Sequence, residues 1–325
     1  MTKGLAVCHH VRVTKQRKLA YLALLINTVV WGAALPIVKP ALEFVTPFQY
    51  LFYRYLLAAM VSLPILVYLI CRLRPSLTQL MTIVGLEVIG VVGALSFLYE
   101  GLKRTSSLEA TLIANAAPIL VIVGGILFLK EKEEPQEFVG LILALIGMLI
   151  LTLEPLFFPN GGKQASSVFG NMLVIGHNLL WAVYLLLAKR VYRKVPKLLV
   201  GLVGLWVGLI GFYLLFMFAT PMAALPQVAL SGLRVPSVLI ASLYMGIFGS
   251  LIGWTAYIYG NDKIEASEAS LFGYLQPLVT IPLATLWLKE RLNLVMVAAL
   301  ILTTVGVFIA ERRPPAKRAV SKTKR

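Results

Sequence analysis

The sequence predicts an all-α integral membrane protein: ten transmembrane helices, arranged as two five-helix repeats of inverted topology. Three observations predict it. Hydrophobic residues make up 59% of the 325-residue chain and charged residues 14%, against roughly 45–50% and about 25% in an average soluble domain. The apolar residues fall into ten runs, most near the ~20-residue length that a helix needs to cross the hydrocarbon core. One segment also occurs twice, since Glu109–Glu131 returns at Glu268–Glu290 with every position number raised by 159.

In that register Glu109 meets Glu268, Ala110 meets Ala269, Leu112 meets Leu271 and Pro118 meets Pro277, and the paired ends Lys130-Glu131 and Lys289-Glu290 coincide. Gly147 and Gly306 keep the alignment into the next helix. A proline at the same depth in both copies marks a duplicated unit. Trp31/Trp181, Leu35/Leu185 and Lys39/Lys189 match at an offset of 150, because loop lengths differ between the halves.

Residues 1–18 form a basic tail. The apolar run after it is long, and Lys39 and Pro40 follow it without a small-residue cleavage site, so it reads as a retained first span and not as a signal peptide. The expected spans are 19–38, 47–70, 80–99, 108–129, 136–153, 168–188, 198–219, 237–259, 267–288 and 293–310. Lipid leaves no backbone group a water partner, and continuous apolarity without alternation selects helices over barrel strands. The first repeat covers 19–153 and the second 168–310; the linker 154–167, with Asn160-Gly161-Gly162, joins them. The segment 220–236 carries three prolines and is expected along the interface or over the outer mouth. The basic tail 311–325 is expected to be disordered. It is read either as a topology determinant or as drawn to anionic lipid, at about 1 kcal/mol per basic residue.

An even number of spans puts both termini on one side. With both in the cytoplasm, inner segments hold 22 Lys and Arg and outer loops hold 7, the positive-inside asymmetry. Five helices per half is odd, so the second copy enters the membrane upside down. Inverted repeats of this kind are typical of secondary transporters, with the substrate near the midplane between the halves. The predicted location is a cell (plasma or inner) membrane, crossed many times. The formal charge of +16 sits in short patches and tails, so no nucleic-acid partner is expected. Cys8 and Cys71 are too few and too distant for a disulfide or metal framework. No cofactor and no metal are expected; the expected partners are a small-molecule substrate and the bilayer, with homodimerisation left open.

Several motifs together resemble the drug/metabolite transporter superfamily in its ten-helix EamA-type branch. They are Trp31-Gly32 with Pro36, Arg54 in the second span, the small-residue run with Ala114, Ala117 and Pro118, the Leu-Lys-Glu ends at Glu131 and Glu290, and Trp181-Ala182 with Tyr184. The resemblance covers about residues 19–310 and implies a secondary transporter of amino acids, other metabolites or drugs. Phosphate-transporting relatives use basic residues near the site, and the ninth span has none before Lys289.

Pro118 and Pro277 each remove an N–H and free a carbonyl one turn earlier. Asn115, Tyr274 and Gln276 flank them, so either the kinks shape packing or these groups bind substrate. Glu87 lies inside the third span, where an acid costs at least ~2.5 kcal/mol on insertion scales and is functional by default. Glu87 and His177 are the proton-coupling candidates, the alternative for each being a hydrogen bond to a neighbour. His177, Asn178, Trp181 and Tyr184 share the sixth span. Trp31, Trp254 and Tyr257 are either walls for an organic substrate or packing residues. Arg54 attracts a carboxylate or makes a structural ion pair with an acid such as Glu43. Glu109 is expected to complete a capping box with Ser106.

The expected function is alternating-access transport of a small metabolite such as an amino acid, as export coupled to protons. A sugar-phosphate or nucleotide-sugar exchanger is the runner-up. A membrane-embedded lipid-modifying enzyme would need clustered catalytic groups, whereas the chain has three His, two of them in the N-terminal tail, and one Asp. No catalytic residue is assigned, and the chain is not read as an enzyme.

Overall fold

The computed structural model describes residues 15–117, 119–120, 123–124, 135–157, 167–221, 230–264 and 272–311. In chain order its helices are α1 (Lys15–Gly32), α2 (Ala34–Val38), α3 (Pro47–Leu73), α4 (Leu77–Glu87), α5 (Ala94–Arg104), α6 (Ser107–Ala114), α7 (Pro135–Phe157), α8 (Val168–Val191), α9 (Lys197–Ala219), α10 (Pro236–Leu243), α11 (Trp254–Lys263), α12 (Gln276–Pro282) and α13 (Leu294–Glu311). Several are parts of one rod. Seven helical stretches among the described residues are long and apolar enough to cross a membrane, and Leu294–Ile309 is a shorter apolar helix.

The starts of these helices follow from local chemistry. Thr46 caps α3 by accepting the N–H of Gln49, with Pro47 in the first turn. Ser76 and Gln79 make a reciprocal capping box at α4. Ser106 caps α6 through the N–H of Glu109, while the Glu109 carboxylate accepts from the Thr105 hydroxyl.

Burial runs opposite to that of a water-soluble domain. Met60, Phe138, Phe218 and Leu294 point outward, while Asn27, Arg54, Glu87, Asn171, His177 and Asn178 are buried. Among lipid chains an exposed Leu costs nothing, whereas an unpaired polar group costs several kcal/mol. The chain is therefore a multi-pass membrane protein with its polar side chains turned inward.

Packing recurs at the sequence offsets. Helix α1 lies on α11 and α12, and α8 lies on α5 and α6; α3 pairs with α9, and α7 with α13. Individual bonds recur too. The amide of Asn27 donates to Gly253 O at 3.1 Å. Its counterpart in the 150 register, His177, has Nδ1 2.9 Å from the carbonyl of Ala94, which is the counterpart of Gly253 in the 159 register. Thr28 donates to Phe272 O at 2.7 Å, as Asn178 does to Ile113 O at 2.7 Å.

At one end of the bundle, Lys39 donates to Leu102 O and Thr105 O, both at 2.6 Å, closing the end of α5. Beside it the Glu290 carboxylate accepts the N–H groups of Ser107 (2.8 Å) and Leu108 (2.9 Å) at the start of α6. The Lys-Glu pair at 289–290 thus contributes a long-range helix cap. Its partner at 130–131, Glu268, residues 158–166 of the linker, and residues 1–14 and 312–325 of the tails lie outside the described residues.

Candidate functional site

A cavity of about 250 Å³ is lined from α1–α6, α8, α9, α11 and α12. Two π-helical turns flank it, Val88–Gly93 joining α4 to α5 and Tyr244–Gly253 joining α10 to α11. Each π turn carries one residue more than an α turn and is frequent at functional sites. Gly90 and Gly249, separated by the repeat offset of 159, both line the cavity.

Aromatic rings form one wall. Trp31 donates its indole N–H to Gly249 O at 3.2 Å and stacks on Trp254 and Tyr257, with centroids 6.1 and 5.4 Å apart. Trp181 meets Trp254 edge-on at 6.4 Å, stacks on Tyr184 at 5.0 Å and is followed by His177 at 6.1 Å. The indole N–H of Trp254 is buried with no partner among the described residues. Glycines let this wall close: a Cβ on Gly201 would sit 2.4 Å from Trp254 Nε1, and one on Gly90 would sit 2.1 Å from the Tyr184 ring.

Two charged side chains reach the same cavity. Arg54 on α3 is 8% exposed. Its Nε donates to Ser250 at 3.1 Å, its Nη1 donates to the Tyr99 hydroxyl at 2.8 Å, and the guanidinium lies over the Tyr55 ring at 5.2 Å. No described carboxylate forms a salt bridge with it, and Glu43 is exposed, so the expected Arg54–Glu43 pair is corrected. A guanidinium delocalises its charge and accepts hydroxyls and ring faces as partners, which explains its tolerance of this site without an acid. Glu87, 2% exposed, receives the Tyr184 hydroxyl at 3.1 Å and packs against Gly204, where a Cβ would lie 2.5 Å from its Oε2.

Of the residues singled out in the sequence, Trp31, Arg54, Glu87, His177, Trp181, Tyr184, Trp254 and Gln276 line the cavity. Tyr257 stands behind Trp31 and Trp254. Asn178 is fully buried and spends its amide on Ile113 O, a packing role. Asn115, Tyr274 and Pro277 line a separate, smaller void with Leu151, Leu300 and Thr303 on α7 and α13. Of the groups beside the two prolines, Gln276 thus reaches the central cavity, whereas the side chains of Asn115 and Tyr274 turn toward the α7/α13 pair. Pro118 itself lies outside the described residues.

Tyr55, Tyr99, Thr111 and Ser250 also line the cavity and were not anticipated. A signal for Tyr99 existed: Glu87, Val91, Leu95 and Leu98/Tyr99 repeat at helical spacing along one face.

The model of the EamA-like transporter family matches this chain twice, over residues 18–153 and 168–311. The chain belongs to the EamA-like transporter family. Among its relatives is an "uncharacterized transporter" of Archaeoglobus fulgidus, 25% identical over 296 residues, covering 89% of this chain and 96% of the relative. Another is the "uncharacterized inner membrane transporter YedA" of Escherichia coli, 24% identical over 88% of this chain and 90% of its own length. A solved crystal structure superimposes with a TM-score of 0.59 over 90% of this chain and 96% of that one; at 19% identity it speaks to the fold alone. The protein is thus a membrane transporter of this family.

Proposed function

We propose that the chain is a secondary active transporter that exports a small organic metabolite of the amino-acid class in exchange for protons. It has ten spans in two inverted five-helix halves, 19–153 and 168–310, with both termini in the cytoplasm. The observation that carries this reading is the cavity between the two halves, which holds a guanidinium, a carboxyl and three indoles. Arg54 takes the substrate carboxylate, Trp31, Trp181 and Trp254 take its apolar part, and the unpaired Trp254 N–H offers a donor to an acceptor atom. Glu87 carries the exchanged proton, and rocking of the halves exposes the site to each side in turn.

The contacts repeated at offsets of 150 and 159, and the two separate family matches, support the two-half layout. A phosphate exchanger needs several converging cations, whereas Arg54 is the one Lys or Arg among the described lining residues. The test is counterflow in proteoliposomes, with amino acids and sugar phosphates as probes, with and without a pH gradient. Exchange of an amino acid that the gradient accelerates is the expected result. Exchange confined to phosphorylated sugars, or the absence of any gradient effect, overturns the corresponding part of the reading.

A further inference from the structure

We infer that Tyr184 and Tyr192 form a proton relay that connects Glu87 to the bundle end carrying Arg193 and Lys194. The inference rests on the reading of Glu87 as the proton carrier, and it adds the route by which the proton arrives.

The geometry is a chain of three hydroxyl or carboxyl groups. The Tyr184 hydroxyl lies 3.1 Å from Glu87 Oε1 and 3.1 Å from the Tyr192 hydroxyl. Tyr184 has one proton to give. In the ionised state that proton goes to the carboxylate, so Tyr192 is the donor in the second bond. Tyr184 and Tyr192 are eight residues apart on the same face of α8 and its cap, a rise of about 12 Å. Tyr192 caps α8, is half-buried, and is followed by exposed Arg193 and Lys194. The relay therefore runs from a half-buried tyrosine beside exposed Arg193 and Lys194 to a carboxyl that is 2% exposed.

The transfer balances without a further reactant. A hydronium ion gives one proton to the Tyr192 oxygen and leaves as water, as the Tyr192 proton moves to the Tyr184 oxygen. The Tyr184 proton passes to Glu87 Oε1 in the same event, so three O–H bonds form as three break. Both phenols end neutral, and the added charge cancels that of the carboxylate. The hydrogen bonds then point the other way, from Glu87 to Tyr184 to Tyr192, and the reverse shift returns the proton.

The groups facing Glu87 are Tyr184 from α8, Tyr55 from α3 and the Cβ-free surface of Gly204 from α9; Arg54 and His177 line the same cavity. Among these, Tyr184 is the described hydrogen-bond partner of the carboxyl. His177 has its Nδ1 engaged by Ala94 O and lies outside the relay.

The experiment uses the full chain in lipid nanodiscs and needs no metabolite, because the probe is the proton. A rapid pH drop is followed by time-resolved infrared absorption of the carboxyl C=O stretch, and the difference against Glu87→Gln isolates the Glu87 band. Tyr192→Phe should slow the rise of that band roughly 100-fold, the scale on which a positioned acid–base group acts, with its titration midpoint unmoved. Tyr184→Phe, which also removes the bond to the carboxyl, should slow the rise and shift the midpoint, and it decides the matter alone if Tyr192→Phe does not fold. A Glu87 band that rises at the wild-type rate in the folded tyrosine variant overturns the relay, and so does the absence of any pH-dependent Glu87 band. Counterflow judges the transport reading separately, since exchange of metabolite can persist with the relay broken.

Discussion

Glu290 accepts the backbone N–H of Ser107 at 2.8 Å across 183 residues of sequence. A helix start normally draws its cap from the preceding few residues. Here a carboxylate from the far end of the chain joins Ser106 in that role, so α6 and the loop after α12 are held as one piece. Glu290→Ala is expected to remove about 1–2 kcal/mol of stability, read as a lowered Tm in detergent, with Glu290→Gln intermediate.

The same residue predicts a pH dependence. Burial holds the Glu290 carboxyl above its ordinary value of 4.5, and the N–H bonds from Ser107 and Leu108 pull it back incompletely. The folded protein therefore keeps this proton to higher pH than the unfolded chain. Its contribution to stability is fully present below the unfolded value and is lost as pH rises through the folded one. Thermal melts of the wild type should fall across that window by more than those of Glu290→Gln; parallel curves would remove Glu290 as the cause.

His177→Asn should fold and retain most activity, whereas His177→Leu should lose about 0.5–1.5 kcal/mol, because the Ala94 carbonyl loses its side-chain donor and keeps only its helical one. The reason is the parallel bond of Asn27 to Gly253, in which an amide makes the contact that the imidazole makes on the other side. Loss of gradient-driven exchange in an otherwise stable His177→Asn protein would restore His177 as a proton carrier.

Arg54→Lys keeps the charge but not the fork that serves Ser250 and Tyr99 together. It should weaken binding of a carboxylate probe by about 10-fold or more, in line with ~1.5–3 kcal/mol for a charged hydrogen bond. Isothermal titration with the amino acid identified by counterflow reads the change. Unaltered affinity in both Arg54→Lys and Arg54→Ala would move the carboxylate elsewhere.

Gly204→Ala should distort the site, because its Cβ would meet Glu87 Oε2 at 2.5 Å. Overpacking of this kind costs typically ~1–3 kcal/mol. Gly85→Ala, which faces open space, is the matched control and should leave exchange unchanged, with the Tm unchanged or slightly raised.

Some of the site was legible before any coordinates. An intramembrane acid and an intramembrane arginine stand out because lipid penalises them. The indoles at 31 and 181 stood out as a repeated pair. The proline neighbours misled, because a helix kink fixes where the backbone breaks but not toward which neighbour each side chain then turns. Asn115 and Gln276 both sit close to their prolines, yet only Gln276 reaches the cavity. The π turns at 88–93 and 244–253 carry no sequence signature beyond their glycines.

By itself the sequence determined the membrane class, the apolar runs and the recurring register, because these rest on composition, run length and spacing, all local or countable along the chain. Only the tertiary structure decided that Glu290 caps α6, that Asn178 serves packing, and that Tyr184 joins Glu87 to Tyr192. Those roles depend on which helix faces which between segments far apart in the chain, as the bond from Asn178 to Ile113 O illustrates. No periodicity within one helix encodes the identity of the helix it will touch.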